Sequence, residues 1–160
     1  MDFENALAKG RVRYVLHKLF HMNTMLPTLD MLTDVVKPEG QTYRGMQDVD
    51  LQFVAGTENR SKDFTKGFYP AHAWMRQRWK NVKESFLSGR ISEPIVLILY
   101  GGYYFVRDGN HRVSIAKISE QEFVSADVTE LKIPIKLPMY KGKNLKKLFR
   151  AKYRFHKRTK

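Results

Sequence analysis

Apolar and polar residues alternate along the chain with a period that changes from segment to segment, and those changes mark out its elements. Over residues 2–22, Leu7, Val15, Leu16, Leu19 and Phe20 form an apolar stripe, which predicts a helix capped by Asp2, with Gly10 as a weak point. Arg11, Arg13, His17, Lys18 and His21 give it a basic flank. A second short helix is expected over 28–36, ended by the Lys37-Pro38-Glu39-Gly40 turn, the best candidate for an internal boundary. Residues 42–44 and 49–54 then read as short extended pieces, and 55–60 as a polar loop. From His72 to Ser88, Met75, Trp79, Val82 and Phe86 recur at intervals of 4, 3 and 4, drawing one face of a helix that Gly89 stops.

The densest strand signal follows. Pro94 opens the run Ile95–Tyr100, Gly101-Gly102 makes a hairpin-type turn, and Tyr103–Val106 returns as a second strand. Asp108-Gly109-Asn110-His111-Arg112 is too polar to continue it. Val113, Ile115, Ala116 and Ile118 then mark a short helix ending near Ser119, and 123–128 a third strand. Residues 131–138 alternate like a strand, but Pro134 and Pro138 argue for an edge position or an extended arm. A last helix fits 145–155, with Leu145, Leu148, Phe149 and Tyr153 on one side, and 156–160 should fray.

Length and charge sharpen this picture. At 160 residues and 42% hydrophobic the chain suits one domain with a sizeable core. It has no cysteine, which excludes disulfides, thiol nucleophiles and Cys-ligated zinc or iron–sulfur centres. Asp2 and Glu4 argue against a secretory signal, and no stretch approaches the roughly 18 apolar residues of a membrane span, so a soluble, cytoplasmic protein is expected. The net charge of +13 is unevenly placed: residues 131–160 carry twelve Lys and Arg and no acid, whereas residues 1–130 carry 17 against 16. Such a block favours DNA or RNA, with Lys143, Lys146, Lys147, Arg150, Lys152, Arg154, Lys157 and Arg158 as the phosphate contacts. A solubilising tail, or a membrane or protein partner, remains open. The chain divides into an N-terminal helical segment (1–40), a core (41–131) and a basic C-terminal arm (132–160).

Two polar loops carry candidate chemistry. In the first, Gly56 permits close backbone approach, Thr57 offers a hydroxyl and Arg60 a fork that suits phosphate; the plain alternative is a loop with one solvent-facing arginine. In the second, a strand passes into a helix whose N-terminus exposes N–H groups and about half a positive charge. Gly109 permits the turn, Asn110 can cap or donate, His111 and Arg112 add donors, and Arg112 can hold a phosphate through two hydrogen bonds. Asp108 suits orienting His111 or Arg112, receiving a ribose hydroxyl, or binding Mg²⁺ that accompanies a nucleotide; the structural alternative pairs Asp108 with Arg112 to pin the helix start. The spacing fits neither a Walker A loop nor a dinucleotide fingerprint, and Ser114 lacks the strained elbow of a nucleophilic serine. His17 and His21, four apart, read as ordinary histidines because no matching ligand joins them, and Trp74 and Trp79 as packing anchors before base-stacking platforms.

Gly89 to Val96, Gly102 to Arg112 and the segment from Glu122 to Leu131 together resemble the ParB N-terminal/sulfiredoxin-like superfamily, in which a Pro-Ile strand leads to a hairpin, a polar loop, a helix and another strand. The Asp-Gly-x-His-Arg form is closest to ParB-like proteins of unassigned role and to free serine kinases of that superfamily. The resemblance covers about residues 45–131 and implies an α+β fold, a small mixed sheet flanked by helices, with nucleotide phosphates (ATP or CTP) held at Gly109 to Arg112. The sulfiredoxin cysteine is replaced by Asn110, which excludes sulfinic acid reduction; the second arginine of partition proteins is replaced by His111, and only about thirty residues follow the core. A nucleotide-phosphate-binding protein associated with nucleic acid is therefore expected. A small-molecule kinase would use Asp108, His111 and a catalytic acid from Glu58 or Asp63; a metal-dependent nuclease would use Asp108 with the same acids around the ion.

Overall fold

The computed structural model describes residues 1–21, 24–90, 93–136 and 145–159, the side chains of Leu145 and Lys146 excepted. Its centre is a sheet of five strands: β1 (Gly40–Asp50), β2 (Val54–Thr57), β5 (Ile95–Tyr100), β6 (Tyr103–Asp108) and β7 (Phe123–Lys132), in the order β1-β7-β5-β6-β2. β1–β7 and β5–β6 are antiparallel, and β5–β7 and β2–β6 are parallel, so the sheet is mixed. β3 (Phe64–Thr65) and β4 (Tyr69–Pro70) form a separate hairpin. The helices are α1 (Phe3–Leu19), α2 (Leu29–Thr33), α3 (Arg76–Leu87), α4 (Asn110–Ile118) and α5 (Leu145–Arg158). The molecule is thus a small α+β domain with helices on both faces of a mixed sheet.

Side-chain alternation along the central strands explains the layering. Ile95, Leu97 and Leu99 of β5 and Tyr104 and Val106 of β6 join one core, closed by Phe3, Ala6 and Leu7 of α1, Trp79 of α3 and Val113, Ile115 and Ala116 of α4. Ile98, Tyr100, Tyr103 and Phe105 face the other way and meet Leu29 and Leu32 of α2 and Phe149 of α5. The Tyr100 hydroxyl donates to the carbonyls of Leu32 (3.0 Å) and Val36, which ties the end of α2 to the sheet. The start of α1, through Phe3, and α5, through Phe149, are thus each built into one of the two cores.

Several sequence expectations are corrected here. Only the start of α1 is buried, at Phe3, Ala6, Leu7 and Gly10; Val15, Leu16, Leu19 and Phe20 are exposed, because the helix runs past the surface it packs on. Gly10 is a close approach, not a weak point: a Cβ there would lie 2.7 Å from the Tyr69 Cβ. The piece at 42–44 lies inside the long β1, which runs on to Asp50 and shifts register between Tyr43 and Gly45 (φ 76°). The piece expected over 49–54 is split: Val49 and Asp50 end β1, Leu51–Phe53 form a 3-10 turn, and Val54 opens β2, which also takes in 55–57 of the expected polar loop. β7 runs on to Lys132, so the strand expected over 131–138 contributes only its first two residues; Leu137 and Pro138 lie outside the described residues. The helix expected from His72 opens as a 3-10 turn (Ala73–Met75) before α3. α4 starts at Asn110, so His111 and Arg112 are in its first turn. α5 continues through Arg158, where fraying was expected. No helix among the described residues is long and apolar enough to cross a membrane.

Candidate functional site

β2 and β6 are parallel neighbours, so the loops that leave their C-terminal ends emerge at the same edge of the sheet, the position where open α/β sheets present their ligand crevices. A cavity of about 570 Å³ lies there, between the loop after β2, the polar turn after β6 and one side of α3. That volume is within the roughly 300–1,000 Å³ of small-molecule sites. The fold therefore brings Arg60 and Asp63 from the first polar loop together with Asp108, Gly109, Asn110, His111 and Arg112 from the second.

The floor is the start of α4. Gly109 is its cap residue at φ 100° and ψ 26°, a left-handed conformation that glycine adopts without strain. A Cβ there would also press on the guanidinium of Arg112, 3.1 Å from Nη2 and 3.2 Å from Nε. No side chain caps the helix, and the leading N–H groups of an α-helix have no acceptor within it. Val113 N–H donates to the Gly109 carbonyl (2.9 Å), which leaves those of Asn110, His111 and Arg112 ahead of the first intrahelical bond.

Arg112 is 7% exposed. It donates from Nη1 to the Glu93 carbonyl and from Nη2 to the Asp108 carboxylate (3.3 Å), while the Asp108 side chain itself is largely in solvent. The structure thus contains the helix-start pin that the sequence offered as the structural alternative, and Arg112 still forms part of the cavity wall. Asn110 and His111 each contribute a buried atom with no hydrogen-bond partner among the described residues, Asn110 Oδ1 and His111 Nδ1. The His111 ring meets Phe64 edge-on at 5.3 Å. Burial, reinforced by the Arg78 and Arg60 charges and opposed by Asp63, pushes the imidazole down to about 4, so it is neutral at pH 7.

Around this floor stands a rim of guanidinium groups. Arg107 is held by both oxygens of Glu58 (3.0 and 3.1 Å), Arg90 pairs with Glu84 (3.0 Å), and Arg60 sits loosely against Asp63 (3.6 Å). Arg78 has no carboxylate partner among the described residues. With Arg112 the lining holds five arginines against Asp63, Glu93 and Asp108. Trp74, also in the lining, stands at the surface.

Other sequence candidates fall elsewhere. Thr57 is fully buried outside the cavity, its hydroxyl donating to the Val106 carbonyl (3.3 Å) and accepting from Arg60 N–H (3.3 Å); it shapes the loop that carries Arg60. Glu58 is turned to Arg107 and does not line the cavity. Ser114 is an internal strut, accepting from Trp79 Nε1 (3.2 Å) and donating to the Phe68 carbonyl (2.6 Å), where it braces a residue at φ 63°. Among the described residues, no group of three or more His, Asp or Glu, with Asp108 or without it, is arranged to hold a metal ion. Lys147, Arg150, Lys152, Arg154, Lys157 and Arg158 are exposed on α5, on the opposite face of the sheet from α4. Lys143 and the Lys146 side chain lie outside the described residues.

Arg78, Arg90 and Arg107 were not offered as site residues from the sequence, and Trp74, read there as a packing anchor before a stacking platform, is 71% exposed in the lining. Trp74 and Arg78 stand four apart beside the Met75–Trp79–Val82 face, whose Val82 also lines the cavity, a spacing that could have announced a lined surface. No protein-family model, curated protein or solved structure matches the chain.

Proposed function

We propose that the cavity at the head of α4 binds the phosphate end of a nucleotide such as ATP or CTP, in a ParB-like, sulfiredoxin-like protein that associates with DNA or RNA through the exposed basic face of α5. One observation carries this reading: arginines from the β2 loop, β6, α3, the turn after α3 and α4 converge on an uncapped helix N-terminus. N–H groups and the helix dipole favour an anion there, and guanidinium groups add charge-assisted hydrogen bonds of roughly 1.5–3 kcal/mol each. Arg78 and the loosely held Arg60 are free to turn to a ligand, whereas Arg112 braces the floor. A Mg²⁺ ion in this site would arrive on the nucleotide phosphates, since no cluster among the described residues is arranged to hold it.

Asp63 keeps a phosphotransferase as the second reading. It is the acid of the first loop that lines the cavity, while Glu58 is engaged by Arg107. As a base against a substrate hydroxyl, Asp63 would act across the cavity from the α4 start.

Calorimetric titration with ATP, ADP and CTP, with and without Mg²⁺, tests the binding. Arg78→Ala should weaken it about tenfold with an unchanged melting temperature. A sample that ignores every nucleotide at millimolar concentration would rule the reading out. Turnover that rises with a specific metabolite hydroxyl and disappears in Asp63→Asn would select the kinase.

A further inference from the structure

The cavity does not end at its arginines. Trp74 stands at its rim, 71% exposed, although so large an aromatic surface is normally buried. The ring lies against His72 at 5.6 Å between centroids and 12° between planes, and a His72 ring nitrogen sits 2.8 Å from the Lys62 carbonyl, to which it donates. Met75, the next residue, is fully buried and anchors the 3-10 turn that carries Trp74. One face of the indole is thus backed by an imidazole. The other has no ring packed on it among the described residues.

Arg78 follows four residues on and also lines the cavity. With a rise of about 2 Å per residue in the 3-10 turn and about 1.5 Å in α3, the two are roughly 7 Å apart along the axis, on the scale of the separation between a nucleobase and its 5′-phosphate. Arg78 is near enough to His111, in the first turn of α4, for its charge to act on that imidazole.

We infer that Trp74 is the stacking platform for a nucleobase whose phosphate sits at the head of α4. This rests on the phosphate reading above and adds to it the part of the ligand that a phosphate site alone would not distinguish. Stacking on an indole accepts every base because every base has a π-face. The cavity should therefore favour a nucleotide over inorganic polyphosphate by about tenfold, with only modest differences among bases. A free mononucleotide and the phosphorylated 5′ end of a single strand both present this chemistry.

The chain has two tryptophans, and Trp79 is 1% exposed and hydrogen-bonded to Ser114, so quenching of the red-shifted fluorescence reports on Trp74. ATP, CTP and a 5′-phosphorylated trinucleotide are titrated against inorganic tripolyphosphate, with calorimetry measuring affinity alongside. The expected result is quenching by ATP and CTP and tripolyphosphate binding about tenfold weaker without quenching. Trp74→Leu should lower ATP affinity to the tripolyphosphate level at an unchanged melting temperature, and Trp74→Phe should restore most of it. Tighter binding of the trinucleotide than of ATP, lost when its 5′-phosphate is removed, would identify a strand end as the carrier; the reverse order would identify a free nucleotide. If Trp74→Leu binds ATP as tightly as the unaltered chain while tripolyphosphate still binds, the platform is overturned and the phosphate site stands. If neither ATP nor tripolyphosphate binds, both fall.

Discussion

Positive charge is assembled in two opposite ways in this molecule. On α5 it is contiguous in sequence and spread over an exposed helical face, with the apolar side chains of Leu148, Phe149 and Tyr153 holding the helix to the sheet. At the head of α4 it is drawn from five separate segments of a region whose net charge is only +1 and gathered around a cavity with helix N–H groups in its floor. Water and salt screen the first kind within about 10 Å. The second is partly enclosed and backed by fixed dipoles, so fewer charges can do more. Net charge therefore points to α5, and convergence points to the cavity.

The comparison can be broken at either end. The largest effect should come from Phe149→Ala, which removes the fully buried ring that attaches α5 beside Gly101, where a Cβ would approach within 2.5 Å of it. A loss of about 3–5 kcal/mol in denaturant unfolding is expected. A loss below about 1 kcal/mol would mean that α5 is merely laid on the surface. Arg112→Ala should cost about 2–4 kcal/mol by leaving the Glu93 carbonyl and the space under Gly109 unfilled. If stability instead held and only nucleotide affinity fell, Arg112 would be a ligand-binding arginine and not a brace.

The pH dependence of the cavity is the next test. His111 takes up a proton near 6.5 when unfolded, a value that burial pushes down to about 4 in the fold. The unfolded state thus binds more protons between those values, and stability should fall as pH drops through that window and level off below it. After solvent screening the expected span is about 1–2 kcal/mol, absent in His111→Gln. Equal slopes for the two proteins would show that His111 is solvated. The smallest effect belongs to α5. Arg150→Gln with Arg154→Gln should leave ATP affinity unchanged and lower the salt slope of duplex binding by nearly one per residue. An unaltered slope would remove α5 from nucleic-acid binding.

Local pattern made much of the fold legible. The β5–β6 hairpin, the polar turn, α4 and the apolar face of α3 all follow from contiguous residues whose period and turn chemistry agree. The end of α1 misled because Val15, Leu16, Leu19 and Phe20 have helical spacing without a surface to pack on, and spacing is blind to where a neighbour stops. For the site, the turn from Asp108 to Arg112 was visible as a local cluster, and the first loop as its partner. Arg78 and Arg90 were not, and Trp74 read first as a packing anchor, because α3 and the turns at its two ends reach the cavity only through tertiary packing. Thr57 and Glu58 misled for the same reason: adjacent to Arg60 in sequence, they turn to Val106 and Arg107 instead.

The most direct test of the account is to follow backbone amide resonances while inorganic tripolyphosphate is added. Those of Asn110, His111 and Arg112 should shift together and saturate, with α5 amides little changed at physiological salt. Shifts confined to 145–158, with residues 110–112 unmoved, would contradict it and assign the anion to α5 alone.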